Sequence, residues 1–126
     1  MDERKISGRK GEEEACVLLA GKGYKILERN WRSGPLEIDI IAQKENILVI
    51  VEVKTRSTRA YGDPSSFVTK AQQRRLIKAA NEYAYLKNCQ HEIRFDIVSI
   101  FEYLNEMETD HIEDAFYPIV NKSKLI

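Results

Sequence analysis

The chain has 126 residues, of which 43% are hydrophobic, 32% charged and 9% aromatic. This composition fits one folded domain and excludes disordered, collagen-like and low-complexity chains. Lys and Arg together number 20, as do Asp and Glu, so the formal net charge is zero. We expect a single domain over residues 1–126, with a core of about residues 8–116 and a C-terminal tail of residues 117–126.

The location of the protein is constrained by its apolar runs and its cysteines. The apolar run of residues 47–51 is much shorter than the roughly 20 residues that cross a bilayer. The first five residues are mostly charged, which is not typical of a secretory signal. Cys16 and Cys89 lack metal-type spacing and give no disulfide framework, which fits a reducing compartment. We therefore expect a cytoplasmic protein with no membrane partner.

The N-terminal half predicts one helix followed by three strands. Glu12, Ala15 and Leu19 recur at helical spacing, and Gly21 ends that helix. After Gly34 and its neighbours form a turn, residues 36–43 alternate, so that Leu36, Ile38 and Ile40 are expected on one face. Residues 47–54 form a β-branched run that is typical of a central strand covered on both faces. The predicted ranges are a helix at 6–21 and strands at 24–31, 36–43 and 47–54.

The C-terminal half predicts a long helix and further strands. Leu76, Ala79, Ala80 and Tyr83 form the apolar stripe of a helix over residues 68–86. Residues 93–101 follow as a strand, and residues 112–116 as a short edge strand. The long helix allows the strands before and after it to be parallel. The order α-β-β-β-α-β, with a further edge strand, predicts an α/β fold with a mixed sheet flanked by helices.

Two consecutive strands carry acidic residues where a buried strand would favour apolar ones. Glu37 and Asp39 share one face of the second strand, and Glu52 and Lys54 share one face of the third. The short connection at residues 44–46 predicts a hairpin that brings Asp39, Glu52 and Lys54 together. Neighbouring carboxylates repel unless a cation neutralises them, and Mg²⁺ or Mn²⁺ prefers such oxygen ligands. The structural alternative is an ordinary ion pair between Glu52 and Lys54, with Asp39 capping a turn.

The zero net charge hides a separation of positive and negative segments. A basic segment could bind a polyanion while an acidic segment faces solvent, although charged helix faces are commonly only solvated. The acidic residues of the second segment are Glu102, Glu106, Glu108, Asp110, Glu113 and Asp114. The basic residues expected to contact nucleic acid are Arg56, Arg59, Lys70, Arg74, Arg75 and Lys78.

The ordered motifs resemble a known nuclease superfamily. Asp39, followed twelve residues later by Glu52-x-Lys54, is similar to the PD-(D/E)XK motif. The surrounding segments resemble the YraN-like branch, a bacterial group described as Holliday-junction-resolvase-like endonucleases. These segments are residues 8–12, 23–32, 36–42, 51–56, 62–64 with 68–76, and 94–98. Gln72 departs from the family pattern, because lysine is usual at this position.

The resemblance implies a restriction-endonuclease-like αβββαβ fold and a metal-dependent phosphodiesterase centre. Asp39 and Glu52 would be ligands of Mg²⁺ or Mn²⁺, and Lys54 would position the nucleophile. Glu12 would reach the same site from the first helix, although an acid in a first helical turn is also favoured by the helix dipole. Gln73 would be a helix-borne site residue, unless it is an exposed helix former.

The sequence therefore favours a Mg²⁺-dependent endonuclease acting on structured or branched DNA. The alternative is a nucleic-acid-binding module of the same fold without cleavage activity. A third hypothesis is a scaffold whose acidic segment docks a protein partner. Because cutting both strands of a duplex needs two sites, a homodimer is also expected, although no particular residue specifies it.

Overall fold

The computed structural model describes residues 3–57 and 67–117, with side chains from residue 10 onward. Their order is α-β-β-β-α-β-β, and the strands form one mixed sheet in the order β1-β2-β3-β4-β5. This confirms the predicted α/β fold and is consistent with a restriction-endonuclease-like core. The elements are α1 (Glu3–Gly21), β1 (Lys25–Ser33), β2 (Leu36–Lys44), β3 (Ile47–Arg56), α2 (Lys70–Leu86), β4 (Glu92–Tyr103) and β5 (Glu106–Phe116).

The centre of the sheet has the predicted pairing. β2 and β3 form an antiparallel hairpin in which Lys44 pairs with Ile47. Glu45, in the turn between them, has a left-handed backbone with φ 55°. β3 and β4 are parallel over their whole length, from Ile47–Glu92 to Arg56–Phe101, because α2 provides the crossover between them.

Two hydrophobic clusters cover the two faces of the sheet. α1 buries Ala15 and Leu19 against one face, where Val49 and Val51 of β3 also lie. α2 buries Leu76 and other apolar residues of its stripe against the opposite face. Alternation along β3 therefore places Glu52 and Lys54 on the α2 side, in line with buried Leu48 and Ile50. In the described part of the chain, neither helix is long and apolar enough to cross a membrane.

β2 changes faces in the middle. Leu36 and Ile38 belong to the α2-side cluster, whereas Ile40 belongs to the α1-side cluster. The prediction that these three residues share one face is therefore wrong. On the neighbouring β1, Asn30 lies between the pairs Arg29–Ile40 and Trp31–Ile38 and has φ 52°. A positive φ is uncommon for a residue other than glycine, and this irregularity of β1 lies opposite Asp39.

The edge strand β5 is longer than predicted. It extends from Glu106 rather than from residue 112 and pairs with β4 from Tyr103–Glu106 onward. Partly buried Met107 and Thr109 alternate with exposed acids between them. An antiparallel strand commonly has one face on the core and the other in solvent. The alternation of partly buried and exposed residues is therefore compatible with a strand. The acidic residues dominate this segment of the sequence, and their alternation with Met107 and Thr109 was not recognised as the pattern of a strand.

A buried charged network fastens β5 to β4. The Asp96 side chain is fully buried and accepts two hydrogen bonds from Arg94, at 2.8 and 2.9 Å. His111 Nε2 lies 2.7 Å from its Oδ2, and the backbone N–H of Asp114 donates to its Oδ1 at 3.0 Å. Arg94 also donates to the Tyr24 hydroxyl. These partners compensate for removing the Asp96 carboxylate from water.

Candidate metal-binding cleft

The candidate site lies where the sheet divides. β2 and β3 pair as far as Ile40–Val51 and then separate. Beyond that point β2 stays with β1, as far as the pair Ser33–Leu36, and β3 stays with β4. A cleft of about 230 Å³ opens beside the division, on the side of the first turns of α2. It is lined by Pro35, Leu36, Glu37, Asp39, Glu52, Gln72, Arg75 and Leu76.

The Asp39 side chain replaces one of the backbone hydrogen bonds that β3 lacks where it separates from β2. Its Oδ2 accepts a hydrogen bond of 2.9 Å from the backbone N–H of Val53, beyond the last β2–β3 pair. The carboxylate thus satisfies a β3 donor at the point where the two strands separate. Burial and the nearby Glu52 carboxylate raise the pKa of Asp39 to about 7, against the opposing effect of the Val53 hydrogen bond. Deprotonated Asp39 is therefore costly here unless positive charge is supplied.

Glu52 and Lys54 lie side by side on β3, as their spacing predicts. Lys54 Nζ is 3.5 Å from Glu52 Oε1, and the two side chains are 17% and 20% exposed. Burial raises the pKa of Glu52, and Lys54 opposes that rise by its charge and a hydrogen bond. Repulsion from Glu37 and Glu12 adds to the rise. Asp39 and Glu52 are thus two neighbouring carboxylates with one lysine beside them.

Glu12 approaches this centre from α1. Its charge raises the pKa of both Asp39 and Glu52, so it lies within electrostatic range of each. The preceding Gly11 is buried so close to β3 that a Cβ atom there would overlap Thr55 Oγ1. Among the side chains described, no three His, Cys, Asp or Glu form a group that could hold a metal ion. Glu12 as a functional residue therefore stays a prediction.

The first turns of α2 place Gln72, rather than Gln73, in the cleft. Thr69 caps the helix in a reciprocal capping box with Gln72. Gln72 lines the cleft, whereas the Gln73 amide donates to the Val68 carbonyl at 3.1 Å. Because successive helical residues are rotated by about 100°, the two glutamines face different surroundings. Gln73 as a site residue stays a prediction.

The predicted basic residues fall into separate places. Arg75 lines the acidic cleft, while the guanidinium of Arg56 lies 5.1 Å from the centre of the Phe67 ring. Arg59 lies outside the described residues. The others border a second depression of about 460 Å³, which we call the α2 groove. The α2 groove is lined by Lys70, Gln73, Arg74, Ile77, Lys78, Asn81 and Tyr117.

Several residues that line these two depressions had not been assigned to them from the sequence, among them Glu37, Gln72 and Tyr117. Glu37 could have been found from its spacing to Asp39, and Gln72 from the Thr-x-x-Gln pattern that fixes the start of α2. Tyr117 gave no usable signal, because its position depends on how β5 ends beside α2.

The sequence also matches known proteins over almost its full length. Residues 11–100 match the model of a family described as "Uncharacterised protein family UPF0102". The chain belongs to this family. A UPF0102 protein of Flavobacterium psychrophilum is 50% identical over 117 residues, which cover 93% of this chain and 98% of the relative. UPF0102 proteins of Flavobacterium johnsoniae and Bacteroides thetaiotaomicron are 46% and 42% identical over 93% and 94% of this chain, in each case covering 98% of the relative. The family suggested by the ordered motifs is thereby confirmed.

The donor set of this UPF0102 cleft fits a hard divalent cation. Mg²⁺ commonly binds through one or two carboxylates and keeps several waters, so the pair Asp39 and Glu52 is sufficient in number. A bound cation would also offset the burial and the repulsion from Glu52 that together raise the pKa of Asp39.

Proposed function

We propose that this UPF0102 protein is a metal-dependent phosphodiester hydrolase that acts on structured or branched DNA in the cytoplasm. The observation that carries the proposal is the juxtaposition of Asp39, Glu52 and Lys54 beside the division of the sheet. Neighbouring carboxylates in a buried setting are unfavourable for stability, so their presence in a cleft favours a chemical role.

The side chains of the cleft have separable roles in this proposal. Asp39 and Glu52 would hold Mg²⁺ or Mn²⁺, which when bound acidifies water and polarises a phosphoryl oxygen. Lys54, 3.5 Å from Glu52, would orient the attacking water and offset negative charge that develops on the phosphate. Arg75 would bind a phosphate that enters the cleft, and Gln72 would orient it by hydrogen bonding.

One observation favours a second candidate function. The Glu52–Lys54 ion pair places a positive charge beside the acids without any metal. This is compatible with a nucleic-acid-binding module that has the same fold and no cleavage activity. In that case Arg75 and the cations of the α2 groove would bind the phosphate backbone.

A cleavage screen distinguishes the two functions. Labelled four-way junction, flap, duplex and single-stranded DNA would be incubated with wild-type protein and with Asp39→Asn, in Mg²⁺, Mn²⁺ or EDTA. If the protein is a hydrolase, the wild type should cleave a branched substrate only when a metal ion is present. The cleavage rate of Asp39→Asn should be lower by at least about 100-fold. Salt-sensitive binding without any metal-dependent product would instead establish the binding module. Analytical ultracentrifugation with and without junction DNA would test the expected homodimer.

A further inference from the structure

The α2 groove contains a stripe of positive charge. Lys70, Arg74 and Lys78 recur every four residues, so they lie on one face of the helix. All three side chains are exposed. Within residues 10–57 and 67–117, none of the three forms an ion pair with a carboxylate. Their charge is therefore available to a negatively charged ligand.

The groove also presents an aromatic ring. Tyr117 directly follows β5, lines the groove, and has 69% of its surface exposed. Hydrogen bonding to the nearby Asp114 carboxylate and the charge of that carboxylate raise the pKa of the tyrosine. Asp114 itself has a left-handed backbone with φ 54°, and its N–H donates to Asp96. Much of the apolar area of the Tyr117 ring is therefore accessible to a ligand in the groove.

We propose that the α2 groove binds an unpaired nucleic acid strand, with phosphates against Lys70, Arg74 and Lys78 and a base stacked on Tyr117. A cationic track beside an aromatic ring is the combination by which proteins bind single strands. A continuous duplex keeps its base faces stacked internally, so it can use the cations but not the ring. Ile77 adds apolar surface to the groove, and the Asn81 amide can donate to or accept from a base edge.

This inference rests on the proposed function for its choice of ligand, because branched DNA contains unpaired segments at its junctions. The α2 groove and the acidic cleft lie along one helix, with Arg74 and Arg75 adjacent in sequence but lining different depressions. A substrate whose phosphate enters the cleft could therefore place a neighbouring unpaired segment in the groove.

The test measures binding by fluorescence anisotropy in EDTA, with labelled oligo-dT and a hairpin duplex of equal nucleotide number. We expect Tyr117→Ala to weaken oligo-dT binding by about 5- to 100-fold, the usual effect of removing one stacking aromatic. Binding of the duplex should change by less than about 2-fold. Tyr117→Phe retains the ring and should remain close to wild type, which separates stacking from the hydroxyl contact with Asp114.

Matched controls use residues outside the groove. Tyr85 also belongs to α2 and is 84% exposed, so Tyr85→Ala should leave oligo-dT affinity unchanged.

The cations of the groove are tested by the salt dependence of binding. Arg74→Gln with Lys78→Gln should reduce the salt slope for single strands by about 1.4, since each phosphate contact contributes about 0.7. The exposed β1 cations Lys25 and Arg29, changed together to Gln, should have a smaller effect on the slope.

The two proposals fail in different ways. Equal oligo-dT affinity of Tyr117→Ala and wild type, or equal loss of duplex and oligo-dT affinity, would overturn the single-strand inference whether or not DNA is cleaved. Preferential binding of an acidic peptide would also overturn it. Intact Tyr117-dependent binding combined with no cleavage under any metal condition would overturn only the hydrolase. Circular dichroism and melting curves would establish that each variant is folded.

Discussion

Asp39 has two opposing effects on the stability of the fold. Its carboxylate accepts a bond from the Val53 N–H, which would otherwise lack a β2 partner. The same carboxylate is repelled by Glu52, with burial as the larger cause of its raised pKa. A neutral side chain such as asparagine could accept the hydrogen bond from Val53 without the unfavourable negative charge. The hydrogen bond alone therefore does not explain why an aspartate is present.

This conflict gives a prediction for Asp39→Asn. The amide oxygen can still accept from Val53, but the charge is removed, so the metal-free variant should be more stable than wild type by about 1–2 kcal/mol. Thermal melting in EDTA at pH 8, above the Asp39 pKa of about 7, would measure the gain. Mg²⁺ at 100 times its Kd should stabilise wild type by about 2.7 kcal/mol and the variant much less. A lower melting temperature for Asp39→Asn in EDTA would indicate a structural carboxylate.

Asp96 is the opposite kind of acid. Burial alone would raise its pKa, but hydrogen bonds from His111, Arg94 and the Asp114 backbone outweigh burial and hold the pKa below the ordinary value of 3.8. Because the folded-state pKa is lowered, its ionised form stabilises the fold above about pH 4, and this contribution is lost as the pH falls through the folded-state pKa.

We therefore predict that Asp96→Asn destabilises the protein by about 3 kcal/mol at pH 7, because it leaves Arg94 without its buried partner. Urea unfolding from pH 7 down to pH 3 would show the difference between wild type and variant shrinking as acid protonates wild-type Asp96. Asp110→Asn, at an exposed position of β5, is the control and should stay within about 0.5 kcal/mol of wild type. If the difference in free energy of unfolding between wild type and Asp96→Asn does not change with pH, the stability of the fold is not linked to the ionisation of Asp96.

At the scale of elements, the packing of α1 on β3 sets the distance of Glu12 from the cleft. Gly11 permits that packing, since any side chain at this position would meet Thr55. A glycine inside a helix is unfavourable by roughly 1 kcal/mol relative to alanine, so the close approach provides a physical reason for it.

Gly11→Ala should therefore destabilise the fold by about 1–3 kcal/mol, despite the better helix propensity of alanine. It should also lower any metal-dependent cleavage, because α1 would carry Glu12 away from Asp39 and Glu52. Gly21→Ala is the control, since a Cβ atom there meets nothing within 4 Å. Chemical unfolding would measure both variants. Equal stabilities of Gly11→Ala and wild type would mean that the Thr55 side chain moves aside without a loss of stability.

At the scale of the whole molecule, one group of exposed acids and one group of bases lie on different elements. The acids Glu106 and Asp110 are exposed on the edge strand β5, while the cations line the cleft and groove of α2. A neutral molecule with this distribution attracts a polyanion to one region and repels it from another. The acidic segment is thus a β-strand within the sheet, which places its charges at one edge.

Neutralising that edge should strengthen DNA association. Glu106→Gln with Asp110→Asn changes the formal net charge from 0 to about +2, and we expect about 2- to 5-fold tighter binding at low salt. The gain should vanish in about 1 M salt, where the Debye length is only about 3 Å. Stopped-flow association rates with junction DNA would measure it. A gain that persists at high salt would point to a direct contact instead of a long-range field.

The amino-acid sequence by itself determined the order of elements, the parallel pairing of β3 with β4, and the association of Glu52 with Lys54. These follow from local periodicity and from chain connectivity, which act over a few residues or one crossover. It also indicated the UPF0102 family, because ordered motifs are a property of the chain alone.

Only the tertiary structure decided which residues face the cleft. Gln72 lines the cleft and also forms a capping box with Thr69 at the start of α2. Ile40 lies on the opposite face from Ile38, next to the left-handed Asn30 of β1, and Tyr117 lines the α2 groove because it directly follows β5. Helix rotation, strand twist and the docking of distant segments depend on contacts between elements, which no local pattern contains.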